Sequence, residues 1–88
     1  MLDAGGNLVA AERQDGSSNK RYDVAYGKAF GSLALGMGSR ALMSRAEQQP
    51  YFIAAATSAI GGALVPVPGG VLVQDASGLT IGAVGISG

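Results

Sequence analysis

Charged side chains are distributed unevenly along this chain, and the unevenness limits how its second half can fold. Every charged residue except Asp75 lies between Asp3 and Glu47. The stretch 50–74 carries no charge, but glycines and prolines interrupt it, which leaves fewer continuous apolar residues than the about 20 of a membrane-spanning helix. The second half is therefore predicted to be buried, paired or covered by a partner, and no membrane span is expected.

The overall composition narrows the class of protein. A chain of 88 residues forms at most one small domain, and we take residues 1–88 as that domain. Hydrophobic residues make up 48% and charged residues only 14%, so part of the apolar surface is predicted to be covered, most simply by a homo-oligomer. The net charge of zero supplies no long-range field for nucleic acid or an anionic membrane.

Two residue types are absent, and their absence excludes several chemistries. The chain contains no cysteine and no histidine. Disulfides, thiolate nucleophiles, the usual zinc ligands, the commonest general base and the commonest haem ligand are therefore excluded. No basic segment followed by an apolar run begins at Met1, so the chain as given is predicted to be cytoplasmic.

The first part of the chain predicts a hairpin, a loop and a helix. A Gly5-Gly6-Asn7 turn separates two apolar flanks within 1–13, which favours a hairpin with a short first strand. The polar loop 14–19 follows, and its Ser17, Ser18 or Asn19 is expected to cap a helix over 21–35.

Two sides of the predicted helix 21–35 differ in character. Tyr22, Tyr26 and Phe30 recur at a spacing of four and form one apolar row. Gly27 and Gly31 form a small side that costs about 1 kcal/mol per glycine relative to alanine. A sheet or a second helix is expected to pack closely against that small side.

The remaining elements follow from breakers and β-branched runs. A glycine break at 36–38 precedes predicted helices over 39–48 and 51–60, and Gly61-Gly62 ends the second of them. Strands are predicted over 64–67, 71–74 and 79–86, the last two joined as a hairpin by a turn at 75–78.

Three local motifs have a functional and a structural interpretation. The segment 36–41 matches a dinucleotide-binding glycine pattern, but it follows a helix rather than a strand, so a helix-breaking turn is the stronger interpretation. Pro68-Gly69-Gly70 could form an anion-binding nest or a plain turn. Lys28, between small neighbours in the helix, could bind an anion or face solvent.

Three sequence blocks carry a family resemblance. They are 3–16, with Asp3-Ala4-Gly5-Gly6 and Glu12-Arg13; 23–29, with Tyr26-Gly27-Lys28; and 68–88, with Pro68-Gly69-Gly70 and the closing Gly85-Ile86-Ser87-Gly88. Together they resemble the GlcG/HbpS-like haem-binding family, which includes the carboxy-terminal domain of the PduO corrinoid adenosyltransferase. The resemblance covers nearly the whole chain.

The resemblance implies an α+β fold, with an antiparallel sheet flanked by helices in a profilin-like arrangement, and assembly into oligomers. It also implies that the chain lacks the family's amino-terminal and carboxy-terminal helices. The implied ligand is haem or a corrinoid-related molecule, without the histidine that serves some members. We take Lys28, Gly69, Gly70, Tyr26 and Arg13 as the candidate ligand-binding residues, in the glycine-rich turns, the first helix and the preceding segment.

Two functions follow as alternatives. The first is a non-catalytic, self-assembling module that binds haem, another tetrapyrrole or a small organic acid. The second is an accessory or structural subunit of a catabolic operon that acts only through protein contacts. An enzyme ranks third, because without histidine or cysteine it would depend on Lys28, a carboxylate or a tyrosine.

Overall fold

The computed structural model describes residues 1–87 and has an α+β architecture, as predicted. A three-stranded antiparallel sheet has the strand order β1-β3-β2, and helix α1 packs across β2 and β3. The elements in chain order are β1 (Leu2–Asp3), α1 (Arg21–Leu35), α2 (Ser39–Gln48), α3 (Pro50–Ala59), β2 (Gly70–Gln74) and β3 (Thr80–Gly85).

The β2–β3 hairpin forms where it was predicted. Leu72 pairs with Ala83, and the register shifts between Val73 and Gln74. Asp75 organises the turn, because one oxygen of its carboxylate accepts the Ser77 N–H at 2.9 Å and the Leu79 N–H at 3.0 Å. The turn thus sets the register that places the far end of β3 beside α1.

The predicted amino-terminal hairpin forms only in part. Leu2–Asp3 pairs with β3, and a single bridge joins Leu2 to Leu8. The Asp3 carboxylate accepts the Asn7 N–H at 2.9 Å, which lowers its pKa and stabilises the tight turn. Residues 9–13 form no strand after that bridge, so the predicted second strand of the hairpin is wrong. Residues 9–16 are exposed at the surface of the molecule.

The helices α1 and α2 begin and end at the predicted residues. The residue before α1 is Lys20, which makes no side-chain capping bond, so the expectation of a Ser17, Ser18 or Asn19 cap is wrong. Gly36 ends α1 in the left-handed region (φ 69°), where glycine has no Cβ penalty. The glycine motif at 36–41 therefore begins with a helix-breaking turn, which confirms the stronger of its two interpretations.

The small side of α1 packs closely, but its partner is neither a sheet nor a helix. A Cβ placed on Gly27 would lie 2.6 Å from a Val65 methyl, and one on Gly31 would overlap Leu64. Val65 also donates its N–H to the Gly27 carbonyl at 3.2 Å. The segment 63–67 thus hydrogen-bonds to a helix rather than to a neighbouring strand, and the strand predicted at 64–67 is wrong.

Two small hydrophobic cores hold these elements together. The first joins Leu2, Ala29 and Ala83 and links β1, α1 and β3. The second joins Leu42, Ile53 and Leu64 and links α2, α3 and the segment before β2. Within residues 1–87 no helix is long and apolar enough to cross a membrane.

Candidate functional site

A cleft of about 880 Å³ opens on the side of α1 that faces the amino-terminal segment. We call it the tyrosine cleft. One wall is the segment 8–17 with Met1 and Leu2, and a second is the end of β3 with residues 86 and 87. The third is a stripe of α1, formed by Arg21, Tyr22, Ala25, Tyr26 and Ala29.

Backbone contact between α1 and the sheet fixes the relative position of two of these walls. A Cβ on Gly85 would overlap the Ala25 carbonyl oxygen and lie 3.1 Å from the Ala29 nitrogen. Gly70 meets the Lys28 carbonyl in the same way. Only glycine allows this approach, so Gly70 sets the distance from the helix to β2 and Gly85 the distance from the helix to β3.

The helix wall presents a row of aromatic rings. Tyr26 stacks on Phe30, with ring centroids 5.4 Å apart and planes inclined by 23°. Tyr22 lies 6.1 Å from Tyr26 at an inclination of 32°. Tyr26 also packs against the first core, whereas Tyr22 is 37% exposed. Neither tyrosine hydroxyl makes a hydrogen bond to another group within residues 1–87.

The rim of the tyrosine cleft carries both signs of charge. Arg13 donates a 3.3 Å hydrogen bond to the Ser17 carbonyl, which closes the loop over the helix start. Arg21 donates to the Ser87 hydroxyl at 3.4 Å and so joins the helix to the end of β3. Glu12 and Asp15 also line the cleft. The cleft therefore combines buried apolar residues such as Leu2 and Ala29 with exposed charged side chains.

Lys28 lies behind the end of β3 rather than in the tyrosine cleft. Its side chain is only 8% exposed, and Nζ donates to the Ile86 carbonyl at 3.0 Å. The Ile86 N–H in turn donates to the Gly69 carbonyl at 2.8 Å. Ile86 lines the cleft, so Lys28 and Gly69 together hold one of its walls from behind.

The five residues predicted from the sequence thus fall into two groups. Tyr26 and Arg13 line the tyrosine cleft. Lys28, Gly69 and Gly70 meet one another beside Ile86, and Gly69–Gly70 leads directly into β2.

Sequence reasoning missed several lining residues. The sequence places Tyr22 in the aromatic row, but Tyr22 is not among the five predicted site residues. Its spacing of four from Tyr26 was the available signal, because this spacing places both rings on one face of the helix. Residues 84–87 belong to a block that carries the family resemblance, but their place in the cleft depends on tertiary pairing and could not be predicted from local sequence.

The arrangement suits a flat, largely apolar ligand with an acidic group at its edge. Ligand pockets typically occupy about 300–1,000 Å³ and combine apolar walls with a few polar groups. Within residues 1–87 no group of three or more His, Cys, Asp or Glu side chains could hold a bare metal ion.

The chain is similar to a solved structure described as the crystal structure of a PduOC:Heme complex, with a TM-score of 0.83 and 26% sequence identity. The match covers 99% of this chain and 62% of that one. No curated protein sequence gives a significant match. A family model described as haem degrading protein HbpS-like matches residues 1–88, and the chain belongs to this HbpS-like family.

Proposed function

We propose that the chain binds haem in the tyrosine cleft. The observation that carries the proposal is the cleft itself, about 880 Å³ in volume and lined on one side by the neighbouring rings of Tyr22 and Tyr26. Membership of the HbpS-like family supports it, and so does the similarity to a PduOC structure that holds haem.

The residues of the cleft fit the chemical parts of haem. The porphyrin face is flat and apolar, and it can pack against aromatic rings and against Ala25 and Val84. The propionates require cations, and the Arg13 guanidinium at the rim can pair with a carboxylate. When bound, haem supplies one-electron and oxygen chemistry, which the protein tunes through its ligands and surroundings.

We further propose that this chain holds haem without degrading it. The chain has no histidine and no cysteine, the residues most often used as a general base and as a strong nucleophile. Incubation of the haem-loaded protein with ascorbate in air tests this point. A stable Soret band supports holding, and a decaying one with release of a bile pigment would show degradation.

Filling the cleft tests the proposed location of binding. Ala25 is half-buried and lines the cleft, so Ala25→Phe occupies part of the ligand volume. Ala54→Phe adds the same group to the exposed side of α3, outside the cleft, and serves as the matched control. In haemin titrations followed at the Soret band, A25F is expected to weaken binding about tenfold or more, a loss of about 1.4 kcal/mol.

The control protein A54F is expected to bind like the wild type. Circular dichroism and the unfolding midpoint establish that both variants are folded. Equal affinity of A25F and the wild type, or uptake that never saturates in the wild type, would contradict the proposal.

Removing the rim cation tests recognition of the propionates. Arg13→Gln is expected to weaken haem binding and to have a smaller effect on the dimethyl ester of haem, which has lost its carboxylates. Arg40→Gln, at an exposed position on α2, is the matched control. If R13Q and R40Q behave alike with both ligands, Arg13 does not contact a propionate.

A corrinoid and a small organic acid are the competing ligands for the same cleft. Cobalamin and glycolate are added in separate titrations, with displacement of bound haem as the readout. Displacement by cobalamin at comparable concentration would favour a corrinoid ligand. The proposal for haem expects neither compound to displace it.

An accessory role through protein contacts is the second candidate. The β2–β3 hairpin exposes large apolar residues: Val71 is 59% exposed, Leu79 65% and Ile81 48%. Covering such residues favours self-assembly or binding of another subunit. Light scattering measures the molar mass of the wild type and of Val71→Asp and so tests this candidate. If the candidate holds, the wild type is an oligomer and the charged variant is not.

A further inference from the structure

The tyrosine cleft contains few side chains able to bind haem iron. Proteins ligate haem through histidine, cysteine, methionine or tyrosine, and this chain has neither of the first two. Among the lining residues, Tyr22, Tyr26 and Met1 remain. A thioether is a soft ligand that accompanies histidine in cytochromes c, and no histidine is present here. The phenol oxygens are therefore the stronger donors.

Packing distinguishes the two tyrosines. Tyr26 stacks on Phe30 at 5.4 Å and packs against the core formed by Leu2, Ala29 and Ala83. The Tyr22 ring is tilted relative to the Tyr26 ring, with the two ring centroids 6.1 Å apart, and Tyr22 is more than a third exposed. A side chain whose ring is already held by packing loses less conformational freedom when it binds a metal. Tyr26 is therefore favoured over Tyr22 as the donor to iron.

The Tyr26 hydroxyl is also chemically uncommitted. It makes no hydrogen bond to another group within residues 1–87, although its ring is half-buried. A half-buried phenol commonly finds a polar partner. Its oxygen is therefore accessible and not engaged by another group of residues 1–87, so it can bond to a ligand in the cleft.

From this geometry we propose that the Tyr26 oxygen would bind the haem iron, with Tyr22 packing against the ligand as an aromatic neighbour. The inference rests on the proposed haem binding. A bond forms between the Tyr26 oxygen and ferric iron while the phenolic O–H bond breaks, and the proton passes to water, with no change of oxidation state.

Single hydroxyl deletions test the assignment. Tyr26→Phe and Tyr22→Phe each remove one oxygen and keep the ring, so the stacking is retained. Tyr51→Phe is the matched control, because Tyr51 is 71% exposed on α3 and lies outside the cleft. The readouts are the haem affinity and the resonance Raman and electron paramagnetic resonance spectra of the ferric complex, where a bound phenolate has its own vibrational bands.

The expected pattern is specific to Tyr26. Wild type, Y22F and Y51F show phenolate bands, whereas Y26F loses them and binds haem about tenfold or more weakly. Phenolate bands that persist in Y26F, that disappear in Y22F instead, or that are absent from a wild type that does bind haem would each overturn the assignment. A wild type that takes up no haem would overturn the proposed function, and this inference with it.

Discussion

Close backbone contact between α1 and β3 predicts that Gly85→Ala is destabilising. The added Cβ would overlap the Ala25 carbonyl oxygen, 2.9 Å from the Ala25 carbonyl carbon and 3.1 Å from the Ala29 nitrogen. All of these are backbone atoms, so no side-chain rotation relieves the overlap. The helix as a whole must move away from the sheet, which loosens the packing of Leu2, Ala29 and Ala83.

The size of the effect follows from two opposing terms. Overpacking a well-packed core costs about 1–3 kcal/mol, and sometimes more when backbone must shift. Replacing glycine by alanine also reduces the freedom of the unfolded chain, which offsets about 0.4–1 kcal/mol of that cost. Because the overlap is with backbone atoms, we place the cost at the upper end of its range and expect a net loss of about 2 kcal/mol for G85A, at about 4–8 °C of Tm per kcal/mol in a domain of this size.

Thermal and urea unfolding, followed by circular dichroism, measure the change. Gly5→Ala is the matched control, because a Cβ there meets only the ends of two side chains, Asn7 Nδ2 at 3.2 Å and Asp3 Oδ1 at 3.5 Å. Its expected change lies within about 0.5 kcal/mol. If G85A proves as stable as G5A, the glycine does not set the distance between the helix and the sheet.

Two further predictions concern the ends of the hairpin. Lys28→Met removes the donor to the Ile86 carbonyl, so the Ile86 amide should exchange its hydrogen faster; unchanged exchange would show that Lys28 does not hold this wall. The Ser77 hydroxyl and the Leu79 N–H lower the pKa of Asp75 in the folded protein. The ionised carboxylate therefore stabilises the fold fully at pH values above its ordinary pKa, and this stabilisation is lost as the pH falls through the lowered pKa. Asp75→Asn should therefore lower the Tm near neutral pH, and its difference from wild type should begin to shrink below about pH 4 and keep shrinking as the pH falls through the lowered pKa; a constant difference would contradict this.

The helices could be predicted because their signals are local. Glycines at 36–38 and 61–62 end apolar-rich stretches, and Pro50 occupies the first turn of α3, one residue before the predicted start. The β2–β3 hairpin was equally local, because Asp75 supplies a side-chain acceptor for the N–H groups of its own turn.

The wrong strand predictions have a tertiary cause. Residues 65–68 alternate valine with proline, and Pro66 has no N–H to donate to a sheet. Val65 bonds to Gly27 of α1 instead, where the two helix glycines leave room for it. Local propensity could not reveal that a helix, rather than a neighbouring strand, would be the partner.

The candidate site was predicted only in part, for a geometric reason. Tyr26 and Lys28 are two residues apart, which separates their side chains by about 200° around a helix. The tyrosine therefore faces the cleft while the lysine lies against Gly69 behind β3. Arg13 reaches the same cleft as Tyr26 because residues 8–17 run past the helix start, a path that depends on tertiary structure.

The location of bound haem is the central claim, and a crystal structure of the haem complex measures it most directly. We predict haem between residues 8–17, the start of α1 and residues 84–87, with Tyr26 facing the iron and Arg13 near a propionate. Haem bound elsewhere, such as against Val71 on the exposed β2–β3 hairpin, would contradict the account.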